Sequence, residues 1–154
     1  MPCEGASFQP DFDAFQNYKY YLSFENSVCE DYITEKYFNI LKYTVIPITF
    51  SGTNFSAIGA PPHSSINVLD FASPKKLVEY LEKVHESDEL FAQFFWWKDY
   101  YEIRNRGEDR AQPYCDLCAR LNNPAEPAKV YKDMFKWWVE DSHCKKLKSS
   151  VFGA

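Results

Sequence analysis

Seven residues, Thr44-Val-Ile-Pro-Ile-Thr-Phe50, restrict the fold more than any other part of the sequence. The run is β-branched and almost continuously apolar, so as a strand it carries apolar side chains on both faces and needs cover on both. A strand of that kind belongs inside a parallel sheet, and parallel neighbours require crossover connections that are usually helices. Pro47 lacks a ladder donor, which predicts a bend within the strand. The flanking segments supply what the run demands. Tyr20 to Phe24 is aromatic and apolar and reads as a second buried strand. From Thr34 onward Tyr37, Phe38 and Leu41 fall at helical spacing, which predicts a helix over 34–43, capped by Thr34 and with Glu35 near the positive end of its dipole. The fold class expected is α/β.

The order continues in the same sense. Ser51-Gly52-Thr53 is a turn at the carboxyl end of the strand, on the same edge as the loop before Thr34. Pro61-Pro62-His63-Ser64 interrupts the chain ahead of a short third strand over 65–69. Ser73 and Pro74 form a helix start, and Leu77, Tyr80, Leu81 and Val84 make one face of a helix over 74–85. A second helix is expected over 87–101, with Leu90, Phe91, Phe94, Phe95, Trp97 and Tyr101 giving it more apolar surface than one buried face requires. Residues 104–113 are charged. A Pro-rich loop containing Pro124 and Pro127 leads to an amphipathic helix over 128–141, and Lys145 and Lys146 begin a solvated tail. Three regions result: a linker or truncated segment over 1–17, a ligand-binding domain over 18–112 and a packing segment over 113–154.

Composition narrows the function. A net charge of −5 over 154 residues argues against a nucleic-acid surface, which needs clustered Lys and Arg. A nucleotide pocket needs only one or two cations. Aromatic residues make up 18% of the chain, more than one core uses, and suggest a broad apolar surface facing another half or partner. The sequence shows no apolar run long enough to span a bilayer and no signal-peptide pattern. Five cysteines leave at least one without an internal partner. Cytosolic thiols and lumenal disulfides are both open on composition.

The loop from Glu25 to Ile33 runs from the carboxyl end of a strand to the start of a helix, where open α/β folds bind ligands. Its residues, Phe24-Glu25-Asn26-Ser27 and then Asp31-Tyr32-Ile33-Thr34-Glu35-Lys36, closely resemble the donor signature of the α1,3-fucosyltransferases. The resemblance extends through Val45-Ile46-Pro47-Ile48 and Phe71-Ala72-Ser73-Pro74 to Cys115-Asp116-Leu117-Cys118. It implies the Rossmann-like C-terminal half of a GT-B glycosyltransferase, with a short parallel sheet flanked by helices. The implied donor is GDP-fucose.

By that resemblance Lys36 neutralises the diphosphate, Glu35 accepts hydrogen bonds from the ribose hydroxyls, Asn26 lies near the phosphates and fucose, and Tyr32 lies by the nucleoside. Three have a plainer alternative: a surface lysine for Lys36, a first-turn dipole partner for Glu35 and a core aromatic for Tyr32. A lysine in the first turn of a helix opposes the dipole, which favours a ligand role for Lys36. Glu25 and Asp31 are assigned no ligand contact, and a structural hydrogen bond is expected for Glu25. Transfer from β-linked GDP-fucose to an α-linked product inverts the anomeric centre and needs a general base. In the family that base comes from the N-terminal half, so no catalytic residue is assigned in this chain. The Arg residues that help hold the diphosphate in relatives have no counterpart before Arg104. The resemblance also implies a protein-linked N-glycan acceptor, in the core type by Trp96-Trp97-Lys98-Asp99-Tyr100-Tyr101 together with Cys115-Asp116-Leu117-Cys118. It implies a type II membrane protein of the Golgi lumen anchored by a segment not in this sequence, and manganese in some relatives. A noncatalytic binding or assembly module is the rival reading.

Cys115-x-x-Cys118 admits a zinc site completed by His143 and Cys144, a redox dithiol, or structural disulfides. The resemblance favours disulfides back to the earlier half. Asn54-Phe55-Ser56 is an N-glycosylation sequon beside the expected pocket. His63, His85 and His143 carry no expected chemistry.

Overall fold

The computed structural model of the protein describes residues 17–103 and 112–145. The expected linker over 1–17 lies almost wholly outside them, as do most of 104–113 and the tail from Lys146. Three parallel strands, β1 (Tyr20–Phe24), β2 (Ile46–Phe50) and β3 (Ile66–Asn67), form one sheet in the order β1-β2-β3. Every residue of β2 is buried, as an apolar run in the central strand requires.

Pro47 is paired opposite Tyr21 in unbroken register, without the interruption a mid-strand proline suggests. The Ile46 N–H donates to the Lys19 carbonyl at 2.8 Å, so the nitrogen of the next residue faces the other neighbour. That neighbour, β3, begins pairing only at Ile48 and Ile66, so the proline removes no ladder bond.

Helices lie on both faces. Helix α1 (Glu35–Ile40) covers the face of Ser23, whose hydroxyl donates to the Lys36 carbonyl at 3.0 Å. It is six residues long, shorter than the predicted 34–43. Helix α2 (Pro74–Glu86) covers the opposite face, where Ile46, Ile66, Val84 and Phe94 form a core with Tyr20, Leu77 and Leu81 around it. Ser73 caps α2 by accepting the Lys76 N–H at 3.3 Å, with Pro74 in the first turn. Tyr37, Leu41 and Trp97 form a second core against α1.

The helix predicted over 87–101 is divided. A short α3 (Asp88–Ala92) passes into a 3₁₀ stretch over Gln93–Asp99. Phe94 and Trp97, one 3₁₀ turn apart, are both buried, Phe94 in the first core and Trp97 in the second, and the Trp97 indole donates to the Phe94 carbonyl at 2.8 Å. The predicted third strand is likewise shorter, ending in a 3₁₀ turn over Val68–Asp70.

In the second described stretch the cysteine motif lies on a helix not expected from the sequence, α4 (Gln112–Leu121). The helix expected over 128–141 is reduced to a π-helical turn over Lys136–Glu140 with a brief helical approach. Residues 114–141 are exposed throughout, including Leu121 at 76% and Val130 at 80%, so this excursion does not add to the core. No helix among the described residues is long and apolar enough to cross a membrane.

Candidate functional site

The loop between β1 and α1 is organised by Glu25. Its side chain is 1% exposed, and its two carboxylate oxygens accept the Thr34 N–H at 2.8 Å and the Thr34 hydroxyl at 3.1 and 2.9 Å. The expected structural hydrogen bond of Glu25 is therefore present. The expected cap is reversed: Thr34 occupies the N-cap position, but its hydroxyl donates to Glu25 and makes no bond to the first turn. The hydroxyl serves as a donor to the carboxylate, and its oxygen accepts from no N–H of the first turn.

Lys36 reaches back over the same loop. Its ammonium lies 3.5 Å from the second Glu25 oxygen and donates to the Asn26 Oδ1 at 3.1 Å, with its side chain 31% exposed. Asn26 and Lys36, predicted as ligand contacts from residues ten apart, are thus brought into direct contact. Glu35 sits exposed in the first turn of α1, and Tyr32 is half-buried with its carbonyl accepting the Ser51 hydroxyl at 3.0 Å. No hydrogen bond or ion pair among the described residues ties Glu35 or the Tyr32 ring to the Asn26–Lys36 pair.

The turn after β2 forms the adjacent wall. The Ser51 hydroxyl also meets the Thr53 hydroxyl at 2.9 Å, and the Asn67 amide donates to the Ser51 carbonyl at 3.0 Å, which ties β3 into the same edge. Beneath α1 the Tyr37 hydroxyl meets Ser64 at 2.7 Å, and burial pushes its phenol up, keeping it neutral.

Two features were not read from the sequence. Cys29, inside the loop, is disulfide-bonded to Cys144 across 115 positions. Around that bond the chain forms a strap: the Glu30 N–H donates to the Ser142 carbonyl at 2.9 Å, the Lys145 N–H donates to the Val28 carbonyl at 2.8 Å, and His143 meets Glu30 at 2.8 Å. Cys115 and Cys118, for which the resemblance implies disulfides back to the earlier half, are exposed free thiols in this chain. Cys144 is committed to Cys29, which removes it from a zinc site, and no group of three potential metal ligands occurs among the described residues. The only sequence hint of the pairing was the odd cysteine count, which says nothing about partners.

Gly52 presses the loop from the other side. A Cβ there would lie 2.8 Å from the Cys29 carbonyl oxygen, a backbone atom that moves only with the loop. Gly52→Ala is expected to destabilise the fold by about 1–3 kcal/mol and to weaken any ligand held by this loop. Urea denaturation checks the first effect, and unchanged stability would show that the loop yields freely.

These features define an open parallel α/β half-domain with a cation-bearing loop at the carboxyl edge of its sheet. The chain belongs to glycosyltransferase family 10, the fucosyltransferases: the model of that family's C-terminal region matches residues 6–137. Alpha-(1,3)-fucosyltransferase C of Drosophila melanogaster is 40% identical over 124 residues, covering 79% of this chain and 28% of the relative. Glycoprotein 3-alpha-L-fucosyltransferase A of the same organism is 39% identical over 147 residues, covering 92% of this chain and again 28% of the relative. Alpha-(1,3)-fucosyltransferase 7 of Bos taurus is 35% identical over 81% of this chain and 36% of its own length. The chain thus spans under a third of the length of both fly relatives. A crystal structure of an α1,3-fucosyltransferase with GDP-fucose superposes on 77% of this chain and 35% of its own, with a TM-score of 0.50 and 22% identity. That likeness confirms the α/β half-domain expected from the resemblance.

Proposed function

We propose that this sequence is the donor-binding half of an enzyme that transfers L-fucose from GDP-fucose, in α1,3 linkage, to GlcNAc of protein-linked glycans at the N-glycan core. The observation that carries the reading is the contact of Lys36 with Asn26 at the carboxyl edge of the sheet, in a loop with the family's donor signature. Lys36 faces the diphosphate, whose charge grows as fucose departs, so its attraction is strongest in the transition state. At six residues α1 adds little dipole, which leaves most of that stabilisation to the ammonium. Asn26 donates beside it, Glu35 takes the ribose hydroxyls and Tyr32 flanks the nucleoside.

The displacement inverts, with its general base in the N-terminal half of the longer protein. Glu25 is committed to Thr34 and Lys36 and is unsuited to that role. The same commitment removes the most buried carboxylate of the loop as a manganese ligand, and no step is assigned to a metal. Exposed Tyr114, Leu117, Leu121 and Phe135 on the excursion over 114–141 support a packing surface for that N-terminal half. A cystine in the loop accords with an oxidising lumen such as the Golgi, with membrane attachment through a segment outside this sequence.

The glycoprotein acceptor is supported by the fly glycoprotein 3-alpha-L-fucosyltransferase A, while alpha-(1,3)-fucosyltransferase 7 matches over a similar span. A chimera joining the N-terminal part of the fly enzyme to this chain tests it. Transfer to a chitobiose-bearing glycopeptide is expected from the chimera and not from the isolated chain. Transfer only to N-acetyllactosamine would overturn the core assignment, and donor binding without any transfer would favour a noncatalytic module.

A further inference from the structure

A carboxylate with a side chain 1% exposed is costly to bury unless its charge is met, and the cation that meets it here is Lys36. One Glu25 oxygen takes the Thr34 N–H, and the other takes the Thr34 hydroxyl at 2.9 Å and faces the Lys36 ammonium at 3.5 Å. The ammonium carries three donors and no acceptor, so Asn26 must present its carbonyl oxygen to it, as the 3.1 Å contact shows. That orientation turns the Asn26 amide N–H groups away from Lys36. With two of its protons directed to Glu25 and Asn26, Lys36 retains one.

We propose that Glu25 is a positioning residue: its buried carboxylate holds Lys36, and through Lys36 orients Asn26, so that both present N–H donors to a nucleoside diphosphate. The proposal rests on the donor-site reading and adds a member that touches no ligand. Glu25 acts twice, since the Thr34 N–H that it accepts lies two residues before Lys36 and fixes where α1 begins. Charge is needed for the first function and only an acceptor for the second. Glu25→Gln keeps an acceptor for Thr34 but loses the charge, and can turn N–H groups toward Lys36.

A double-mutant cycle in the oxidised chain, with GDP as the probe in calorimetric titration, tests this. Glu25→Gln is expected to weaken GDP about tenfold in the wild-type background and to add almost nothing to Lys36→Ala. Glu25→Asp, which keeps the charge one methylene short, should lose less than Glu25→Gln. An equal loss from Glu25→Gln in both backgrounds, or none in either, would overturn the proposal, because a merely structural residue acts regardless of Lys36. Mass-spectrometric rates of Lys36 acylation give a second readout that needs no nucleotide. Release from Glu25 is expected to speed acylation several-fold in the folded Gln variant; should that variant not fold, the Asp variant, whose shortened carboxylate draws back from Lys36, is expected to show a smaller rise, and an unchanged rate refutes the hold on Lys36. If the folded wild-type chain binds no GDP, the donor-site reading fails, while the acylation rates still decide whether Glu25 holds Lys36.

Discussion

Cys144→Ser is expected to lower the stability of the chain by about 2–4 kcal/mol, the usual effect of losing a native disulfide, with a long closed loop favouring the upper part of the range. The Cys29–Cys144 bond closes a separation of 115 residues. Its loss also leaves the strap held only by the Glu30–Ser142 and Lys145–Val28 backbone hydrogen bonds and the His143–Glu30 contact. Urea denaturation of the oxidised chain measures the change. Cys115→Ser serves as the control, since that thiol is free and exposed and its replacement should fall within the error of the method. Equal stabilities for wild type and Cys144→Ser would show that the strap holds nothing. Reduction of the wild-type chain with dithiothreitol should reproduce the Cys144→Ser result.

Lys36→Ala is the substitution expected to cost most in ligand binding. A charge-assisted hydrogen bond to a phosphate contributes about 1.5–3 kcal/mol, so GDP should bind roughly 10- to 100-fold more weakly. Part of that loss reflects Glu25, whose buried carboxylate would be left with Thr34 alone. The variant should therefore also lose some stability, and affinity must be compared at a temperature where both proteins are folded. Calorimetric titration with GDP and with guanosine separates the two effects. The penalty is expected for the diphosphate and not for the nucleoside, and an equal penalty for both would mean that Lys36 acts on the fold and not on the phosphates.

What was legible in the sequence was what local chemistry determines. The apolar run ending at Phe50 implied a covered central strand, and Ser73-Pro74 marked the start of α2, because both signals act within a few residues. The stretch over Gln93–Asp99 misled, since aromatic residues at a spacing of three satisfy an α-helix and a 3₁₀-helix alike, and packing of Phe94 and Trp97 decided between them. Helix α4 carries Pro113 in its first turn and Leu117 and Leu121 four apart, signals that the reading of Cys115 and Cys118 as a disulfide or metal motif displaced.

At the site the division is similar. Asn26 and Lys36 were named from the loop's resemblance and lie in contact. The orientation of the Thr34 hydroxyl was missed because its partner, the Glu25 carboxylate, sits nine residues earlier in the sequence, beyond the reach of a local capping pattern. Cys29 with Cys144, and Gly52 against Cys29, are pairings between distant parts of the chain that no local pattern encodes.

The most direct test of the account is a crystal structure of the oxidised chain grown with GDP. The account predicts the diphosphate within hydrogen-bonding reach of the Lys36 ammonium and the Asn26 amide nitrogen, with the Glu25 contacts to Thr34 retained. GDP bound elsewhere, for example in the groove between Tyr20 and the Val78 and Leu81 face of α2, with Lys36 still directed at Asn26, would contradict it.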